Sequence, residues 1–348
     1  MLHDFLPHAP RPRSWFAAER SELSAMGRPA RFGTAALAVL LAAQLAFLCW
    51  CNLTQWTNHL DGDSSTQILK VMEMAKAGSL SLPNWNDTTS LLLDTPLMLA
   101  ALLMPLFGNA FTAYGAGNIL LLAAFVYALW QLLRRASCPL PLRLTALFLL
   151  LTPYSYTEVL GYANCMVVQS AHYLMRALYM VYLLYALVQL EQREKGFGHL
   201  VTWLFTLGLG AWIALSSGLF LLLLVLLPVI AGFVLRAFAA NRPRLLLGPG
   251  AAFLVLNLLG FGAGYFVQRY VIHFASRDAV IAWNSYTEFL PNLSKVVQGY
   301  FKLTNALPAE GGVTVLSGQG IVFGIAFVAA MAVPAGVLVC LWRIAHRP

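Results

Sequence analysis

LLLDTPLMLAALLMPLF, residues 91–107, decides the fold. The run is apolar enough to enter a membrane, yet Asp94, Pro96 and Pro105 interrupt it. A helix needs about 20 apolar residues to cross ~30 Å of hydrocarbon. Between the two prolines only about eight uninterrupted apolar residues remain, and a proline inside a helix removes a backbone hydrogen bond. The expectation is a helix that lies in the membrane interface and does not cross.

Around this run the chain is overwhelmingly apolar: 59% of its 348 residues are hydrophobic, 10% are charged, and the mean hydropathy is +0.71. Runs of spanning length cover about 32–51, 110–133, 144–160, 173–190, 200–215, 218–235, 245–271 and 321–342. Residues 200–238 are too long for one crossing, roughly 58 Å at ~1.5 Å per residue. Ser216, Ser217 and Gly218 are therefore expected to turn the chain between two spans. The predicted fold class is an all-α polytopic membrane protein with about eight transmembrane helices plus two juxtamembrane helices in the first outer loop.

Charge supports the same topology independently. Fifteen of the 22 Lys and Arg residues form five clusters: Arg11, Arg13, Arg20, Arg28 and Arg31; Arg134, Arg135 and Arg143; Arg193 and Lys195; Arg236, Arg242 and Arg244; Arg343 and Arg347. If residues 91–107 do not cross, all five share one side, which the positive-inside bias makes cytoplasmic, with both termini inside. If they cross, every cluster after the first is exported. The non-crossing topology also places nine of the 14 acids outside: Asp61, Asp63, Glu73, Asp87, Asp94, Glu158, Asp278, Glu288 and Glu310. The chain then divides into a cytoplasmic segment (1–31), a transmembrane module (32–271) with an outer loop at 52–109, a second outer loop (272–320), and a last span with a short tail (321–348). Function is expected in the two outer segments.

The net charge of +8 does not point to nucleic acid, because the basic residues flank helix ends, where they orient the chain and meet anionic headgroups. No cleavable signal is expected, since about 30 polar residues precede a first run long enough to anchor. The five cysteines show no disulfide framework and no CxxC site. No internal repeat is visible, against an inverted-repeat transporter.

The first outer segment contains Asn58-His59-Leu60-Asp61-Gly62-Asp63-Ser64-Ser65-Thr66-Gln67, then Ile68, Leu69, Val71, Met72 and Ala75 at helical spacing, closed by Gly78. A short helix on the outer membrane surface is expected here, followed by the interfacial helix from Pro96 to Phe107. Asp63, then Ala75 and Gly78, Pro83 and Trp85, Asp94-Thr95-Pro96-Leu97 and Phe107-Gly108 resemble the first luminal loop of the GT-C glycosyltransferases. Members of that superfamily with such a loop include the protein O-mannosyltransferases and the bacterial aminoarabinose transferases. The stretch from Gly208-Leu209-Gly210 to Ser216-Ser217-Gly218 is similar to the small-residue turn between two later spans of the family. The resemblance covers roughly residues 30–235, and the order of the motifs carries it. Two departures stand out: Ser64 follows Asp63 where many members have a second acid, and Asp94-Thr95-Pro96 replaces a basic residue or His before paired prolines.

The resemblance implies an inverting transfer of a sugar from a polyprenyl-phosphate donor to a glycan, lipid or protein acceptor on the extracytoplasmic face, in a bacterial inner membrane. One carboxylate would act as general base, Asp63 first and Asp61 second, while the lipid phosphate leaves already ionised and needs cations. The structural alternative for Asp63 is a charge that begins the helix, beside a capping box of Ser64 and Gln67. Arg176 and Arg269, near the outer ends of their spans, are candidates for the donor phosphate, because an intramembrane Arg is costly unless it snorkels or finds an anion. Glu158 and Tyr162 are candidates for the acceptor side. His59, Asp61 and Asp63, with His172 and His273 also near outer helix ends, are candidate ligands for a divalent ion, against their ordinary role as interfacial hydrogen-bonding residues. Lys70 and Lys76 are read as solvated helix residues. In the second outer loop, Trp283 and Tyr286 read as interface aromatics, and the helix-like Phe289–Phe301 segment is a candidate cover for the active cavity. Two other readings remain open: a transporter or flippase of a lipid-linked or amphiphilic substrate, and a catalytically silent GT-C-like membrane subunit.

Overall fold

A computed structural model describes residues 15–55, 62–79, 82, 85, 91–152, 173–192, 197–239, 242–272, 286–304, 306–307, 314 and 316–345; every regular element among them is helical. The chain divides into two compact units, Met1–Thr152 with Cys165–Arg277, and Pro153–Asn164 with Asp278–Pro348.

The first unit opens with α1 (Trp15–Ser24) and α2 (Arg28–Thr54), then α3 (Gly62–Ala77), α4 (Leu97–Phe107), α5 (Ala110–Arg135) and α6 (Leu140–Leu151). After a gap in the described residues come α7 (Leu174–Glu191) and α8 (Phe197–Ser217). The short α9 (Leu219–Leu221) runs through a π-helical stretch (Leu222–Leu226) into α10 (Leu227–Ala239), and α11 (Pro249–Phe266) ends in a second π-helical stretch (Val267–Val271). The second unit contributes α12 (Phe289–Leu303) and α13 (Gly318–Ala345). Seven of these stretches are long and apolar enough to cross a membrane: α2, α5, α7, α8, α9 with α10, α11 with its π-helical end, and α13. The protein is therefore an all-α, multi-pass membrane protein. Of the expected span 144–160, residues 144–151 lie in α6, and 153–160 lie outside the described residues.

The decisive run folds as its prolines require. Pro96 stands at the N-cap of α4, Pro105 lies in its last turn, and Gly108 closes it with a φ of 63°, its N–H bonding the Met104 carbonyl at 2.9 Å. The αL conformation suits glycine, which has no Cβ to clash. At 11 residues α4 extends only about 16 Å, half the hydrocarbon thickness. Leu97, Ala100 and Ala101 are buried against Ile68, Val71 and Met74 of α3 and Ala110 and Tyr114 of α5, while Leu102, Leu106 and Phe107 are exposed. A Cβ on Gly117 of α5 would meet Leu99 Cβ and the Pro96 carbonyl at 3.2 Å, which shows how closely α4 lies on α5. Both expected non-spanning helices exist, and they pack on one another and on α5.

Within this unit the basic helix ends meet. Arg31 Nη2 donates to the Ser24 carbonyl at the end of α1 (2.7 Å). Glu19 of α1 receives Arg143 Nη1 at 2.8 Å, and Glu22 receives Arg143 Nη2. Arg135 donates to Gln192 (3.2 Å), and Arg236 pairs with Glu191 (2.6 Å). The start of α2, the end of α5, the start of α6 and the ends of α7 and α10 thus share one end of the bundle. Because Arg236 comes back to the end of α7, the chain must reverse between α8 and α10, and it does so at Gly218, with a φ of 56°.

Candidate functional site

The opposite end of the bundle holds a buried polar cluster built on the turn that precedes α4. Residues 91–96 follow no regular pattern, and a backbone buried without partners costs heavily. Several of its backbone groups find partners on distant helices. Leu91 donates its N–H to the Ser216 carbonyl (3.2 Å) and accepts Lys70 Nζ on its own carbonyl (3.2 Å). The Leu92 carbonyl accepts Thr95 Oγ1 (2.6 Å), the Leu93 carbonyl accepts Trp212 Nε1 (3.0 Å), and the Asp94 N–H donates to Ser216 Oγ (3.1 Å). Leu92 sits at a φ of 58°, a conformation a leucine adopts only when its surroundings hold it there.

Asp94 is the centre of the cluster and is completely buried. Its Oδ1 accepts Ser216 Oγ at 2.6 Å, and its Oδ2 accepts both Ser217 Oγ and Arg176 Nε, the latter at 2.9 Å. Arg176 also donates Nη2 to Ser217 Oγ (2.7 Å), with its guanidinium carbon 5.3 Å from the Tyr173 ring centre and 5.7 Å from that of Phe220. Gln268, buried in the π-helical end of α11, donates Nε2 to the Ser216 carbonyl (2.9 Å). The turn before α4, the start of α7 and the α8–α9 corner are thereby joined through one carboxylate, and the end of α11 is joined to them at the Ser216 carbonyl. Gly218 completes the corner: a Cβ there would stand 2.8 Å from Gln268 Oε1, and its φ already disfavours a side chain.

A second polar layer fixes α3. Tyr114 of α5 donates its hydroxyl to Gln67, and Asn118 Nδ2 donates to Asn52 Oδ1 at 2.6 Å, all four side chains being fully buried. These contacts overturn two expectations. Ser64 and Gln67 do not form a capping box, because α3 begins at Gly62 and both side chains are buried within its length. Lys70 is not a solvated residue: it is 4% exposed, and its amine supplies the donor that the irregular Leu91 carbonyl needs. Lys76 does lie exposed, paired with Glu73 at 2.6 Å.

Of the expected site residues, Asp63 lies in the first turn of α3, with its side chain outside the described residues. His59, Asp61, Glu158, Tyr162, His172 and His273 also lie outside them. No group of three or more His, Cys, Asp or Glu able to hold a metal occurs among the described residues. Arg176 has its anion inside the protein, in Asp94. Arg269 is exposed beside the buried Gln268 and has no acidic partner among the described residues. Sequence reading noted Asp94 as an outer acid and as part of the turn before α4 but gave it no partner, and it overlooked Gln268. The signal that could have paired Asp94 with Arg176 was the cost of an intramembrane Arg, which demands a counter-ion. Chemically, both oxygens of Asp94 are engaged by internal donors, so the cluster ties the entry of α4 to α7 and to the α8–α9 corner.

No protein-family model, no curated protein and no solved structure matches the chain.

Proposed function

We propose that this chain is an integral membrane glycosyltransferase that moves a sugar from a polyprenyl-phosphate donor to an acceptor at the extracytoplasmic face. The observation that carries the reading is the pair of helices after the first span, α3 and the 11-residue α4, packed on one another and too short to cross. Such a pair holds a catalytic loop at the membrane boundary, where a lipid-linked donor presents its phosphate. The termini and the basic end of the bundle are then cytoplasmic, and the Asp94 end faces outward.

Asp63 is the general base in this reading. It stands in the first turn of α3, and the Gln67–Tyr114 and Lys70–Leu91 bonds tie that helix to α5 and to the turn before α4. A base on a helix anchored in this way keeps its position through the reaction. Asp63 takes the proton from the acceptor hydroxyl or amine as that atom attacks the anomeric carbon. The bond to the lipid phosphate breaks on the opposite face, inverting the configuration, and the phosphate departs with the electron pair. Of the two arginines assigned to that phosphate, Arg176 is already neutralised by Asp94, so Arg269 is the first choice as its cation.

Native mass spectrometry of lipids that co-purify with the wild-type chain and with Asp63→Asn tests the reading. A polyprenyl-phosphate sugar should appear, enriched in the variant, with turnover lower by about 10²- to 10⁴-fold, the usual contribution of a general base. Bulk phospholipid alone in both preparations would end this reading in favour of a transporter or a silent subunit.

A further inference from the structure

We propose that α12 is an interfacial membrane anchor whose apolar face inserts into the headgroup–acyl boundary of an anionic bilayer. The helix is sharply two-sided. Phe289, Leu290, Leu293, Val296, Val297, Tyr300 and Phe301 fall within an arc of about 140° at 100° per residue. Lys295, Gln298 and Lys302 are exposed on the opposite side, Ser294 borders the apolar arc, and no Asp or Glu occurs within the helix. The apolar face is not a buried core face: Phe289, Leu290, Leu293, Val296 and Val297 are 47–72% exposed. Among the described residues, the last turn is covered, by α13. Tyr300 donates its hydroxyl to the Ala330 carbonyl at 2.6 Å, Phe301 stacks on Phe327 at 5.1 Å, and both pack against Ala306, Ala326 and Ala330.

The depth of that contact identifies the occupant as lipid. Twenty residues outward from Arg343, the far hydrocarbon edge of α13 falls near Phe323, at ~30 Å of core and ~1.5 Å per residue. Ala326 and Ala330 then lie roughly 5 to 10 Å inside that edge, about the depth to which an interfacial helix sinks its apolar face. Lys295 and Lys302 would point back toward lipid phosphates, the charge expected of a helix on an anionic surface. The apolar face of α12 thus continues the lipid-facing surface of the span against which it docks. This replaces the idea that the segment covers the active cavity, and it does not depend on the glycosyltransferase reading.

The test uses the full-length chain in nanodiscs of mixed anionic and zwitterionic lipid. Native cysteines are replaced, single cysteines are placed at Leu293, Val296, Lys295 or Gln298, and a fluorophore on each is quenched by brominated lipids or by aqueous iodide. Val328→Cys in α13 is the reference for an inserted position. Labels at Leu293 and Val296 should be quenched at least threefold more by bromine near the headgroup than by bromine deep in the acyl chain, and labels at Lys295 and Gln298 by iodide. Iodide access at Leu293 and Val296 overturns the proposal, as does protection from both quenchers, which would put protein on that face. Hydroxyl-radical footprinting of the unmodified chain reads the same face without substitution: Phe289 and Leu290 should resist oxidation in nanodiscs, and their oxidation would refute the anchor.

Discussion

At the scale of single residues, the weight falls on Asp94. A buried carboxylate and a guanidinium are stable together because each satisfies the other and the two serine hydroxyls complete the set. Removing one partner leaves the other charge uncompensated, at a cost of about 3–5 kcal/mol. Asp94→Ala and Arg176→Ala should each lower the thermal midpoint markedly, and the double variant should lose less than the two singles combined. Additive losses in a thermal-unfolding cycle would show that the two charges do not depend on one another. Arg143 illustrates the same rule at the other end of the bundle. Counted in the sequence as one more cytoplasmic cation, it is 2% exposed, bonded to Glu19 and Glu22 of α1, and its guanidinium lies over Trp130 at 4.8 Å. It secures α1 to the start of α6 and is not available to headgroups.

At the scale of elements, close approach between helices depends on small residues, since apolar attraction gives lipid-embedded helices little reason to prefer one another over lipid. The contact between α8 and α11 is the tightest case. A Cβ on Gly264 would stand 2.3 Å from the Ala211 carbonyl and 3.0 Å from the Leu215 nitrogen, both backbone atoms that cannot swing away. On the same helix a Cβ at Gly262 meets nothing within 4 Å. Gly264→Ala should therefore destabilise by about 1–3 kcal/mol through overpacking. Gly262→Ala should be neutral or stabilising by up to ~1 kcal/mol, from helix propensity alone. Comparing the two thermal midpoints checks the α8–α11 packing, because equal effects would mean that the two helices do not approach there. For α4, the element boundaries were legible in the run itself: Pro96, Pro105 and Gly108 mark where a helix can start and must stop. Its partners were not legible, because Leu97 and Leu102 are the same residue type, and only the direction of α3 and α5 decides which is buried.

At the scale of the whole molecule, topology is the quantity to measure. The contacts of Arg31, Arg135, Arg143 and Arg236 bring the basic helix ends of the first unit together, and Ser79 follows the far end of α3. With a single cysteine at Arg134 or at Ser79 in intact cells, a membrane-impermeant maleimide should modify only the Ser79 position. Modification at Arg134 from outside would mean that the shared basic end faces outward, and it would remove the orientation on which the glycosyltransferase reading rests.

By itself the sequence determined what length, apolarity and backbone chemistry can dictate: a helical membrane protein, a run too short to span, and a reversal at Ser216–Gly218. These are one-dimensional properties, set by residues within a turn or two of each other. Only the tertiary structure decided that Asp94 answers Arg176 across 82 positions, that Lys70 and Trp212 complete the backbone of residues 91–93, and that Gln67 turns inward to Tyr114. Those pairings follow from the cost of leaving a buried charge or amide unmet, and that cost is settled only when distant helices come within hydrogen-bonding distance.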